Sequence, residues 1–267
     1  MNKKIHLFCV LVLIFGTNFQ NTTFASTVPS REIALEIGNG SQQLGISQEV
    51  EDNPSQGPEA LVAINDGLAI LDNRNHKIIQ IDERGKMVKN LHLPSGVFND
   101  LAVDGIGRFI LIDELSRKVF AVDDRISELF GIPKGEGFPM QIDGYQIAGK
   151  NLIVSDFGTE KFYIFSLEGK LKKSFSFPLI QSFAISPDNL PAILSVNSEH
   201  PDEVSMIYYD LEGNIKKKVP ILGKEICQLT HSVRLLGFSR TGLAIAYGWD
   251  EKGNGIVFSI DEQGSIN

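Results

Sequence analysis

Little in this chain of 267 residues would crosslink it, span a membrane or bind polyanions. It has two cysteines, Cys9 and Cys227. Cys9 sits in an N-terminal apolar stretch expected to be removed, so no disulfide is expected and Cys227 reads as a small core residue. That stretch, Leu7 to Gly16, is the longest apolar run and falls short of the roughly 20 residues a membrane helix needs. Helical periodicity is missing beyond it. His76, His92, His200 and His231 are scattered without the paired spacing of a zinc site. No Gly-x-Ser-x-Gly elbow presents a nucleophile. The glycine-rich stretch Gly131 to Gly137 leads into no helix, so it reads as a long connection rather than a phosphate loop. Positive charge is outweighed, 25 Lys and Arg against 33 Asp and Glu, for a net charge of −8. Nucleic acid and anionic membranes are therefore poor partners, and no membrane span is expected.

The N-terminus carries Lys3 and Lys4, then the apolar run, then Ala25 before Ser26. That order is a secretory signal peptide over residues 1–25. Export to the periplasm or the exterior is the expectation. The remaining 242 residues then carry a charge of −10, because the leader holds two lysines and no acid. That length is enough for one large domain with its own core. The expected organisation is a signal peptide at 1–25, an N-terminal strand and linker at 26–56, and a repeat domain at 57–267.

Two anchors recur. An aspartate closes an apolar strand, with lysine five residues later: Asp72 and Lys77, Asp113 and Lys118, Asp156 and Lys161. The aspartates lie 41 and 43 residues apart. A polar turn ending in glycine follows: Asp82 to Gly85, Ser166 to Gly169, Asp210 to Gly213 and Asp261 to Gly264. The second repeat has Asp123-Asp124-Arg125 instead. Short apolar, β-branched strands between tight turns, repeated every forty-odd residues, predict an all-β fold. The unit is a four-stranded propeller blade.

Five inner strands are expected near Ala60 to Ile64, Asp100 to Val103, Ile142 to Ile147, Phe183 to Ile185 and Val233 to Phe238. Five blades are therefore predicted, with six as the alternative if the chain is a truncated copy of a six-bladed relative. The strand from Arg31 to Ile37 is expected to close the last blade. Asp72, Asp113 and Asp156 recur in successive repeats, which reads as structural: turn carboxylates that accept backbone N–H groups and pair with the repeat lysines. Lys216-Lys217-Lys218 reads as a solvated strand edge.

The stretch Gly57-Pro58-Glu59-Ala60, then Asp66 to Ile78, then the Asp-x-x-Gly turn resembles the NHL repeat, most closely in the first repeat and least beyond Gln181. The resemblance implies a β-propeller, commonly six-bladed, without implying a reaction. A weaker resemblance, at Asn99-Asp100-Leu101-Ala102-Val103-Asp104 and Gly107-Arg108-Phe109, is to the SMP-30 and gluconolactonase propellers, six-bladed metal-dependent lactone hydrolases. It would make Glu59, Asn99 and Asp100 metal ligands, with Asp100 as the acid–base candidate. The chain departs from that pattern at Gln181-Ser182, where a second asparagine belongs, and at Val233-Arg234, where no Asp-Gly pair precedes the strand.

Positions that differ between blades at the start of the inner strand can line a central funnel. These are Glu59, Asn99 with Asp100, Gln141, Gln181 with Ser182, and Arg234. Their oxygen-rich set suits a divalent cation such as calcium. Gln141, Gln181 and Arg234 are the rim candidates for a bound ligand. Phe138-Pro139-Met140 and Trp249 could give the loops apolar contact surface, with core packing the leading expectation for either. The leading expectation is a non-catalytic binding or scaffold module that holds a protein, peptide or glycan. A lactone or ester hydrolase and an inactive truncated propeller are the alternatives.

Overall fold

The computed structural model describes residues 4–7, 33–36, 40, 43–45, 58, 60–64, 67–82, 84–177, 182–196, 203–221, 233–239, 241–249 and 255–266. β1 (Lys4–Leu7) pairs antiparallel with β2 (Ile33–Glu36). Blade 1 is β3 (Ala60–Ile64), β4 (Gly67–Asp72), β5 (Lys77–Asp82) and β6 (Met87–His92). Blade 2 is β7 (Ala102–Val103), β8 (Phe109–Asp113), β9 (Lys118–Val122) and β10 (Ile126–Gly131). Blade 3 is β11 (Gly144–Ala148), β12 (Asn151–Asp156), β13 (Lys161–Ser166) and β14 (Leu171–Ser176). Blade 4 is β15 (Phe183–Ile185), β16 (Pro191–Val196), β17 (Val204–Tyr209) and β18 (Ile215–Pro220). Blade 5 has β19 (Arg234–Phe238), β20 (Ala244–Trp249) and β21 (Gly255–Ile260). Each blade is an antiparallel meander in sequence order. The fold is an all-β propeller of five blades, in two compact units, one holding blades 1–3 and the other blades 4 and 5.

The pattern of burial explains the strand sequences. β4 and β8 are buried along their whole length and read as continuous apolar runs, because each is covered on both faces. The outer strands β14 and β18 are largely exposed and carry Lys172, Lys173 and Lys216 to Lys218, charges that discourage edge pairing. Apolar clusters fill the seams between blades. Ala69, Leu71, Phe98 and Leu111 belong to one, Ile112, Leu152 and Phe165 to a second, and Met206, Leu235 and Phe258 to a third. Each fully buried Leu, Ile, Phe or Met side chain among them contributes about 1.5–3 kcal/mol.

The polar turns work as their residue types predict. Asp82 Oδ1 accepts the N–H groups of Arg84 and Lys86 at 2.9 and 2.8 Å. Asp104, Asp210 and Asp261 repeat that geometry. The glycine is indispensable where it also touches a neighbouring blade. Gly264 has φ +87, and a Cβ there would lie 1.9 Å from the Pro220 carbonyl oxygen of β18. Gly169, φ +88, would press a Cβ to 2.6 Å from Phe130 of β10.

One expectation changes. The strand from Arg31 to Ile37 does not close blade 5: its residues 33–36 pair with β1, which lies inside residues 1–25. Beside β21, Ile266 bridges Ile260 after the chain reverses through the Asp261 turn. A local reversal closes a far smaller loop than a return from residue 33 would. Among the described residues no helix is long and apolar enough to cross a membrane.

Candidate functional site

The repeat aspartates are structural latches. Each caps its own turn and also accepts an N–H from the segment that precedes the inner strand. Asp72 takes Asn75 N at 3.1 Å and Gly45 N at 2.9 Å. Asp113 takes Ser116 N at 3.3 Å and Val97 N at 3.0 Å. Asp156 takes Thr159 N at 3.0 Å and Met140 N at 2.8 Å. Burial is the largest single influence on Asp113 and Asp156 and pushes the carboxyl up, but the accepted hydrogen bonds, the Ser116 hydroxyl on Asp113 among them, together hold it below the usual range.

The expected lysine pairing holds once. Lys77, 2% exposed, lies 3.7 Å from Asp72 and donates to the carbonyls of Gly40 and Gln43. Lys118 instead pairs with Glu128 at 2.7 Å on the surface. An exposed lysine is free to choose the nearer carboxylate of its own sheet.

The residue before each of these lysines has a left-handed backbone: His76 φ 49, Arg117 φ 58, Glu160 φ 53. His76 is exposed, in keeping with a surface role, but Arg117 is buried. Its guanidinium donates to four carbonyls: Ile132 at 3.2 Å, Pro133 at 3.1 Å, Pro139 at 2.7 Å and Met140 at 3.3 Å. Asp156 grips the same segment through Met140 N, so the connection from Gly131 to Gln141 is held from both sides. In the stretch expected chiefly to pack in the core, Phe138 packs on the core and Pro139 is buried, while Met140 stands 80% exposed. Leu115, in the turn that carries Arg117, is 74% exposed. Nothing in the repeat pattern marked Arg117, because the anchor was read on Lys118.

Of the funnel candidates, Asn99 and Arg234 are exposed, and Gln141 is exposed with its amide donating to Asp143 at 2.7 Å. Glu59 and Gln181 lie outside the described residues, as do His200, Cys227 and His231. Asp100 is half-buried, and both of its carboxylate oxygens accept backbone N–H groups: Leu101 at 2.7 Å and Tyr145 at 3.2 Å. The buried Tyr145 hydroxyl donates to the Asp100 carbonyl and accepts Ile112 N at 3.2 Å. Tyr145 thus ties blade 2 to blade 3. Burial is the largest influence on Asp100 and pushes its carboxyl up to about 6 against the pull of the two N–H bonds. Burial first, and the Asp100 charge second, push the Tyr145 phenol well above its ordinary value.

Blades 4 and 5 repeat the same register with another group: Ser182 Oγ accepts Leu235 N at 2.7 Å. Among the described residues no cluster of three His, Cys, Asp or Glu side chains has the placement to hold a metal ion.

No family model matches the chain, and no curated protein sequence matches it. Its likenesses are to solved structures. A gluconolactonase from Xanthomonas campestris superposes with a TM-score of 0.50 at 15% identity, over 74% of this chain and 70% of that one. Hydrazine synthase from Kuenenia stuttgartiensis superposes with a TM-score of 0.51 at 16% identity, over 77% of this chain, which spans 63% of that one. Virginiamycin B lyase from Staphylococcus aureus follows at 0.46 and 13% identity, over 78% and 71%. Identities this low speak for the fold alone.

Proposed function

We propose that this chain is an exported, NHL-like propeller that works as a non-catalytic binding or scaffold module, holding a protein or peptide on its loop rim. The observation that carries the reading is the connection from Gly131 to Gln141. A buried arginine and a repeat aspartate lock its backbone, yet it presents Met140 to solvent. A rigid loop loses little entropy when a partner docks, and an exposed, adaptable thioether suits an apolar contact. The apolar character favours a protein or peptide over a glycan. Asp100 supports the same reading against a hydrolase, since both of its oxygens already hold the joint between blades 2 and 3.

The test is photo-crosslinking in the cells that make the protein, with benzoylphenylalanine at Met140 and, as control, at the exposed Val88 on β6. A discrete adduct from Met140 that is absent from Val88, identified as a polypeptide by mass spectrometry, is the expected result. Equal adduct patterns at the two positions, or a glycan adduct, would overturn it.

A further inference from the structure

The other unit contains a cavity of its own. It measures about 540 Å³ and lies between the β15–β16 turn, the β19–β20 turn and the turn after β21. That size falls in the range of sites that hold a small molecule or a few side chains. Its apolar wall is aromatic: Tyr208 and Phe238, ring centroids 6.1 Å apart at a tilt of 46°. Around this wall stand Asp188, Asp261 and Glu262, and among the described residues Lys217 is the one basic residue of the lining.

Two features mark the cavity as more than a gap between turns. Tyr208 is 8% exposed, and among the described residues its hydroxyl has only the Met206 thioether, at 3.5 Å, as hydrogen-bond partner. Sulfur is a weak acceptor, so a buried phenol retains most of its capacity to donate and accept. Asp188 stands near enough that its charge, after burial, helps push this phenol up to about 12. Lys217 already lies over the Tyr208 ring at 5.7 Å, which shows that this wall accepts a cation on its face. Asp261 is committed to its turn, with Oδ1 accepting Gln263 N and Ser265 N. Glu262 uses one oxygen on the Gln263 amide. Asp188, exposed at the mouth, and the second oxygen of Glu262 remain to meet an incoming group.

From these groups we infer that the cleft between blades 4 and 5 binds the guanidinium of an arginine side chain in a partner peptide. A planar guanidinium stacks on aromatic rings and presents its edge to carboxylates, a combination an ammonium does not offer. Among the described residues the lining carries three carboxylates against one lysine, and the whole chain, at −8, draws a basic segment toward it. This site lies in a different unit from the Met140 rim and does not depend on it.

The test is an amide NMR titration of the purified protein with acetyl-Gly-Arg-Gly-amide, and with the citrulline peptide, which has nearly the same shape without the charge. The arginine peptide should bind with a Kd of about 1 mM or tighter, shifting signals from blades 4 and 5, and the citrulline peptide at least about tenfold more weakly. Asp188→Asn with Glu262→Gln should weaken the arginine peptide by about tenfold without lowering the melting temperature. Lys217→Met removes the competing cation and should tighten binding, a change of opposite sign that misfolding would not produce. No shifts up to about 10 mM peptide, equal binding of the two peptides, or weaker binding in Lys217→Met would overturn the inference.

Discussion

Blades 2 and 3 and blades 4 and 5 are joined by the same backbone latch made from different chemistry. In the first pair Asp100 reaches across to the N–H of Tyr145, the second residue of an inner strand. In the second pair Ser182 reaches to the N–H of Leu235, again the second residue. A hydroxyl is small and never ionises, so it can sit in this joint at any pH. A carboxylate accepts two N–H groups instead of one, but it must lose water to do so, and its affinity for a proton rises accordingly. The joint tolerates either group because what it requires is an acceptor at a fixed place. Acidity is a by-product of that requirement in one seam and is missing from the other.

The aspartate at the end of the second strand draws a similar contrast. Blades 1–3 end that strand in Asp72, Asp113 and Asp156, whereas β16 and β20 end in Val196 and Trp249. Among the described residues, the aspartate that closes the second strand and holds the segment before the inner strand is therefore a feature of the first unit.

The largest break in this comparison should come from Arg117→Ala, which strips four carbonyls of their donor at a buried position. A loss of about 3–4 kcal/mol in denaturant unfolding is expected, whereas Lys118→Ala, one residue on and exposed, should stay within about 0.5 kcal/mol. Second comes the titration of Asp100. The folded state keeps a proton that the unfolded chain has already released, so this residue lowers stability as pH rises from 3.8 toward about 6 and no further above that. The difference amounts to about 3 kcal/mol. Stability of the wild type minus that of Asp100→Asn, measured from pH 3.5 to 7, should fall through that window; a flat difference would put Asp100 outside the joint.

Ser182→Ala should cost about 1–2 kcal/mol by leaving Leu235 N without its acceptor, and by the same amount at every pH. A pH-dependent loss there would erase the contrast between the seams. Smallest of all is the expected effect of metal removal: excess chelator and then calcium should leave the melting temperature unchanged if the funnel residues serve binding alone. A rise with calcium that disappears in Asn99→Ala would turn attention to a metal site and to lactone substrates.

The blades were legible because each repeats a local rule. Val, Ile and Leu runs of five or six residues can only be strands at this spacing, and an aspartate three residues before a glycine makes its turn without help from the rest of the chain. Asp72, Asp113 and Asp156 were readable as structural for the same reason, recurrence. Arg117 and Tyr145 were not readable: each occurs once, and its partners lie between 15 and 45 residues away in the sequence. The Tyr208–Phe238 wall was hidden similarly, since nothing in β17 or β19 names the other. Lys118 shows how a true repeat can mislead, for its register with Asp113 is intact while its charge is drawn to Glu128.

By itself the sequence determined the period, the strands and the turn chemistry, all of which depend on residues close together along the chain, and it favoured five blades over six. The tertiary structure alone decided which aspartate became a joint, which loop was locked, what paired with Ile33–Glu36, and where a cleft opened between two aromatic rings. Those outcomes depend on groups far apart in sequence meeting at distances of a few ångströms, and on the burial that follows, which no local pattern encodes.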